Sequence, residues 1–127
     1  MNTSNPSLKE IAVLFLKSVA SGNVREAYQK YVISDFSHHN PYFRGDAESL
    51  MLAMEENAAQ NPQKIFEVKM ATQGEDKVTV YSHIRQNLDD LGAVVVHIFR
   101  FQDDKIVELW DIGQPIPKNS PNENGMF

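Results

Sequence analysis

The sequence contains no cysteine, which excludes disulfides, thiolate metal sites and cysteine nucleophiles. Long apolar runs are also missing. The longest near the start, IAVLFL, is six residues, against the roughly 18–20 needed to span a bilayer. No basic stretch precedes it in MNTSNPSLKE, so a secretory leader is not expected and the reading is a soluble, cytoplasmic protein with no membrane partner. Cations are few: twelve Lys and Arg stand against seventeen Asp and Glu, for a net charge of -5. They are scattered, whereas phosphate backbones are bound by clustered cations, so nucleic acid is not an expected partner.

What is present suits an ordinary globular chain. A hydrophobic share of 42% with 23% charged residues is typical of soluble domains, and 127 residues can bury a core unaided. The expectation is one domain over 1–127, without repeats. In NPSLKEIAVLFLKSVASG, Leu8, Ile11, Ala12, Phe15 and Val19 recur at helical spacing, with Pro6 near the start and Gly22 near the stop. Asn23 and Glu26 suggest a cap for a short second helix, NVREAYQKYV, whose buried stripe is Val24, Ala27, Tyr28 and Tyr31. Asp46 can cap a third, DAESLMLAMEENAAQ, with Leu50, Met51, Met54 and Ala58 on one side.

Strands follow: KIFEVKMAT, KVTVYSHIRQ, AVVVHIFRF and KIVELWDIG, joined by short polar segments. Three helices and then hairpin-linked strands predict an α+β domain, the helices packed on one face of an antiparallel sheet. The tail 114–127, with three prolines and three asparagines, is expected to be irregular, although it ends in Met126 and Phe127.

The histidines carry the chemical question. In FSHHNPYF, Pro41 biases Asn40 toward extended backbone. Neighbours on a strand face opposite ways, so at most one of His38 and His39 faces the interior. If NLDDLG closes its hairpin near the middle, His83 and His97 lie opposite or nearly opposite each other. In the last hairpin a two-residue loop, Asp103-Asp104, puts His97 on the face of Trp110. A three-residue loop, Gln102-Asp103-Asp104, pairs it with Leu109 and sets Asp111 diagonally beside it. In either case Val94, Val96 and Ile98 alternate with Val95, His97, Phe99 and Phe101, so both faces of this strand are largely apolar. Helices can cover one face; a second copy of the chain is the simplest cover for the other, and a homodimer is expected.

HHNPYFRGDAESL, VVVHIFRFQDDKIVELWDIGQPIP and SPNENGMF resemble the SnoaL-like polyketide cyclases of the nuclear-transport-factor-2-like superfamily. More narrowly they resemble the branch described as predicted aldol-condensation enzymes. The resemblance implies a cone, a curved sheet wrapped around three helices with a blind apolar pocket, and usually a dimer. It favours the three-residue loop, with Asp104 in a left-handed position. It places Tyr81, His83, Val95, His97, Phe99, Val107, Leu109 and Asp111 inward, with Trp110 and Ile112 outward. This chain departs from the pattern: relatives often carry an acid where His97 stands and a histidine where Leu109 stands. Ketosteroid isomerases share the fold, but their base falls on Asn40, their oxyanion-holding tyrosine on Phe15 and their oxyanion-holding acid on His97. That disfavours their mechanism here.

The expected activity is acid/base chemistry without a cofactor on a small apolar or carbonyl-containing compound: enolisation, aldol-type cyclisation or isomerisation. Asp111 and His97 are the expected catalytic pair, because burial and mutual attraction shift their pKa values in opposing ways. His39, Asn40, His83 and Tyr81 are expected to position substrate, against walls of Phe15, Phe99, Leu109 and Met54, while His38 stays solvated. His39, His83, His97 and Asp111 could in principle hold a metal; none is expected. Arg100, Glu108 and the Asp89-Asp90 pair read as solvated or structural charges. The alternative is a dimeric carrier or sensor that binds a ligand without converting it.

Overall fold

The computed structural model describes residues 6–127. Helix α1, Leu8–Ala20, begins where Ser7 Oγ accepts the Glu10 N–H and the Glu10 carboxylate accepts the Ser7 N–H. This reciprocal cap satisfies two otherwise orphaned donors. Its buried stripe is Ile11, Ala12, Phe15 and Leu16. Helix α2, Val24–Tyr31, buries Val24, Ala27 and Tyr28. Strand β1, Val32–His38, follows at once. Helix α3, Ala47–Gln60, is capped by Asp46, whose carboxylate accepts the Ser49 N–H at 2.9 Å.

Strands β2 (Ile65–Gly74), β3 (Lys77–Arg85), β4 (Ala93–Gln102) and β5 (Lys105–Pro115) complete a five-stranded sheet of order β1-β5-β4-β3-β2. β2 to β5 form an antiparallel meander, but β1 runs parallel to β5, so the sheet is mixed. No hairpin joins these two strands, so nothing in the turns dictated their relative direction. Register shifts in β1, at Val68/Met70 and at Arg100/Phe101 bend the strands around the helices. The core sits between the layers, where Phe15, Tyr28 and Leu50 meet Val78, Val80, Phe99, Ile106 and Leu109. The fold is the expected α+β arrangement of three helices against a bent sheet.

Both hairpins differ from their expected registers. In β3–β4, His83 faces Val94 and Val80 faces His97. The loop does not close at its middle: the Asp90 carboxylate accepts the Gln86 and Gly92 N–H groups, at 2.9 and 3.0 Å, and pulls closure toward one end. Against a direct His83–His97 pair the shift is three residues, an odd number, so the two histidines stand on opposite faces. Val78, Val80 and Ser82 point into the core, while Tyr81 and His83 point outward, correcting their assignment to the pocket. In β4–β5 the turn is Asp103-Asp104, with φ of 52° and 64°, and Gln102 pairs with Lys105. A bulge at Val107 then adds one residue, so His97 stands directly opposite Asp111 rather than Leu109 or Trp110.

β5 continues to Pro115, one residue past the expected start of the irregular tail. The tail crosses the outer sheet face. Tyr81 Oη donates to the Met126 carbonyl at 2.5 Å, and the Phe127 ring lies 4.8 Å from His83. Part of the face assigned to a second copy is thus covered by the chain itself, while Ile112 remains 60% exposed.

Gly92 fixes this register. Its φ is 79°, and a Cβ there would stand 2.1 Å from the Ile84 carbonyl oxygen. Gly92→Ala is expected to cost more than the ~1–2 kcal/mol of left-handed backbone alone, read as a lower urea midpoint.

Candidate functional site

The site is built where β4, β5 and the segment after β1 meet. His97 Nε2 lies 3.5 Å from Asp111 Oδ1, and the two side chains are 13% and 19% exposed. Asn40 Nδ2 donates to Asp111 Oδ2 at 2.9 Å, so each carboxylate oxygen faces one partner. Asn40 Oδ1 accepts the Tyr42 N–H, which shapes the turn that carries it. Phe99 stacks beside the imidazole at 6.1 Å between centroids, Phe66 lies at 6.4 Å, and Phe15 meets Phe99 edge-on at 5.9 Å. Leu109 is buried on the same face.

Burial in this apolar surround pushes the His97 pKa down, and the Asp111 charge opposes the shift without cancelling it. With the carboxylate beside Nε2, the proton of the neutral ring belongs on Nε2. Nδ1 is then a bare acceptor, buried and without a hydrogen-bond partner. Burial, with a smaller push from Asp111, raises the Tyr28 pKa, so this phenol stays a protonated donor. Its ring packs on Phe15 at 5.3 Å, within the same aromatic cluster.

The two adjacent histidines have the reverse of their expected places. Phe36 and His38 are the buried residues at the end of β1, and His38 pairs with buried Leu109. His38 Nδ1 accepts the Asn40 N–H at 3.1 Å, so Nε2 carries the proton that it donates to the Arg44 carbonyl at 2.5 Å. This ring clips the turn that presents Asn40. His39 faces out, stacked on Trp110 at 5.1 Å, with Nε2 2.6 Å from Glu108 Oε2. Arg100 Nε donates to the other Glu108 oxygen at 2.9 Å, and the two contacts hold the Glu108 carboxyl below its usual range. Arg100 and Glu108 therefore anchor His39 on the outer face.

Of the expected site residues, His97, Asp111, Asn40, Phe15, Phe99 and Leu109 are brought together. His39 lines the groove beside Asn40 and Asp111 without touching the His97 ring's aromatic surround, His83 and Tyr81 stand apart, and Met54 lines a separate cleft with Phe43 and Asn57. The His39, His83, His97 and Asp111 set is dispersed over two faces, and among the described residues no three acidic or histidine side chains gather as a metal-binding group. A groove of about 580 Å³, lined by His39, Asn40, Tyr42, Ala93, Asp111 and Gly113 among others, leads from solvent to the Asp111 carboxylate. Two buried polar groups escaped the sequence reading: Tyr28, taken only as a core residue, and Ser82, the one hydroxyl on the Val78-Val80-Ser82-Ile84 stripe.

The depressed His97 pKa makes stability depend on pH. Below the ordinary value of 6.5, the unfolded chain takes up a proton that the folded chain resists. Stability thus falls as pH drops through this window and is level above it. Thermal unfolding from pH 7.5 to 5 should show that His97→Leu has a shallower loss of Tm than the parent chain.

No family model matches the sequence, and no curated protein matches it. Solved structures do. An NTF2-like protein of unknown function from Cytophaga hutchinsonii aligns with a TM-score of 0.71 at 16% identity, over 90% of this chain and 96% of that one. A SnoaL-like protein of unknown function from Burkholderia thailandensis gives 0.71 at 13% identity, over 88% and 99%. A protein from Acidithiobacillus ferrooxidans, named provisionally as a polyketide cyclase, gives 0.68 at 16% identity, over 88% and 92%. The fold of this chain is the one shared by NTF2-like and SnoaL-like proteins.

Proposed function

We propose that this protein is an enzyme acting without a cofactor on a small carbonyl compound, by removal of a proton next to the carbonyl. The observation that carries the reading is the buried imidazole whose Nε2 faces Asp111 and whose Nδ1 has no partner. Such an arrangement is an oriented base. Nδ1 takes the carbon-bound proton, Asp111 stabilises the imidazolium that forms, and Asn40 keeps the carboxylate in place. A lowered pKa keeps His97 in its basic form at neutral pH. Loss of that proton leaves an enolate. Aldol-type ring closure or isomerisation can follow from that enolate. The provisional cyclase name of the Acidithiobacillus ferrooxidans protein supports this class by analogy of fold only.

A second reading, a carrier or sensor, is favoured by the small number of polar groups inside: with His83 and Tyr81 outside, the walls around His97 are chiefly aromatic and aliphatic. Exchange of cyclohexanone α-protons into D₂O separates the two. Exchange above the buffer blank is expected, and His97→Gln combined with Asp111→Asn should lower it by about 10²–10⁴. Binding with no exchange above the blank would establish the carrier. Native mass spectrometry of freshly purified protein adds a check, since a converted ligand should be released rather than an intact one.

The working form we propose is a cytoplasmic homodimer, with Ile98, Trp110 and exposed Ile112 of the outer sheet face meeting a second copy. Light scattering at micromolar concentration should give twice the chain mass; the mass of one chain would rule the dimer out.

A further inference from the structure

Two lysines line one small cleft that the catalytic reading leaves unused. Lys17, in the last turn of α1, and Lys64, just before β2, wall a space of about 180 Å³ together with Ala20, Ser21 and Phe66. The cleft shares no residue with the groove at Asp111. No acidic residue lines it, and among the described residues neither lysine belongs to an ion pair. The chain has seventeen acidic residues and a net charge of -5. Two cations facing one cleft without a carboxylate are therefore not explained by pairing.

Local structure does not account for them either. A lysine in the last turn of a helix ordinarily serves the exposed carbonyls there. Here those carbonyls are taken: Lys17 O accepts the Ser21 N–H at 3.0 Å, Ser18 O the Asn23 N–H at 2.9 Å and Val19 O the Gly22 N–H at 3.1 Å. Ser21 Oγ also donates to Ser18 O, at 3.0 Å, so this hydroxyl is not a donor to the cleft. Lys64 Nζ donates to the neutral Asn57 Oδ1. An ammonium carries three protons, and one amide oxygen uses one of them. Burial pushes the Lys64 pKa down, with no acid opposing the shift.

Charge and walls together select the occupant. Two ammonium groups favour an anion, and Ala20 and Phe66 offer an apolar surface that an inorganic ion cannot use. A carboxylate on a short carbon chain uses both. We propose that Lys17 and Lys64 bind the carboxylate of a small organic acid whose chain lies against Phe66. The inference goes beyond the enzymatic reading and does not depend on it, although the Phe66 ring, 6.4 Å from that of His97 between centroids, adjoins both places.

Butyrate and butyramide serve as probes, alike in shape and differing in charge. Titration into the isotope-labelled chain should show butyrate moving the side-chain signals of Lys17, Lys64 and Phe66, with a Kd of about 1–10 mM. Butyramide should bind at least about fivefold more weakly. The Lys64 ammonium should titrate at higher pH in butyrate than in butyramide, because a bound carboxylate favours the charged form. Lys64→Met and Lys17→Met should each weaken butyrate about three- to tenfold, whereas Lys118→Met, at an exposed position in the tail, should not. Lys17 is exposed, so its variant keeps the test valid if Lys64→Met lowers Tm. Equal binding of the two probes would make the cleft a site for an adventitious additive only and overturn the proposal. Unchanged butyrate affinity in both variants, or no shift at the three residues, would do the same. Inorganic phosphate that displaces butyrate and binds at least as tightly would reduce the cleft to holding an adventitious ion only, and overturn the carboxylate assignment.

Discussion

The site depends on one imidazole removed from water beside one carboxylate. Burial disfavours the charged ring, and the neighbouring charge favours it. Here burial prevails: His97 is held among Phe66, Phe99 and the rest of the inner face, while its contact with Asp111 is long, at 3.5 Å. The outcome is a neutral, oriented ring instead of a tight ion pair. Asp111 bridges two environments, since it also lines the groove open to solvent. Its oxygens are divided between His97 and Asn40, which gives the carboxylate a fixed orientation without the cost of full burial.

That geometry is set by backbone features some distance away. The Asp103-Asp104 turn alone would have put His97 and Asp111 on opposite faces. The bulge at Val107 restores them to one face and makes them direct partners. On the other side, His38 holds the turn from which Asn40 reaches Asp111. The outer network of His39, Glu108, Arg100 and Trp110 pins the same segment from the opposite face. Each element is local, and together they fix two side chains, His97 and Asn40, from separate parts of the chain around one carboxylate.

Much of the fold was legible because it rests on periodicity. The stripe of Ile11, Ala12 and Phe15, the Asp46 cap and the alternation of β4 all follow from side-chain direction in helices and strands. Register was harder, because it depends on single side chains within loops. Asp90 sets where NLDDLG closes, and no alternation rule anticipates which N–H groups one carboxylate will accept. The parallel pairing of β1 with β5 links residues some seventy positions apart, so no turn chemistry announced it. That pairing also set His38 inward and His39 outward, since His38 follows buried Leu109. Ser82 was legible in hindsight as a hydroxyl on an apolar stripe, a signal of composition rather than spacing.

The central claim is that His97 is a neutral base with its proton on the nitrogen facing Asp111. A long-range proton–nitrogen correlation spectrum of the imidazole ring, recorded from pH 8 to pH 5, tests it most directly. The account predicts a protonated Nε2 and an unprotonated Nδ1 at neutrality, with the second proton arriving only below the ordinary histidine range. A doubly protonated ring at pH 7, or the proton on Nδ1, would contradict it.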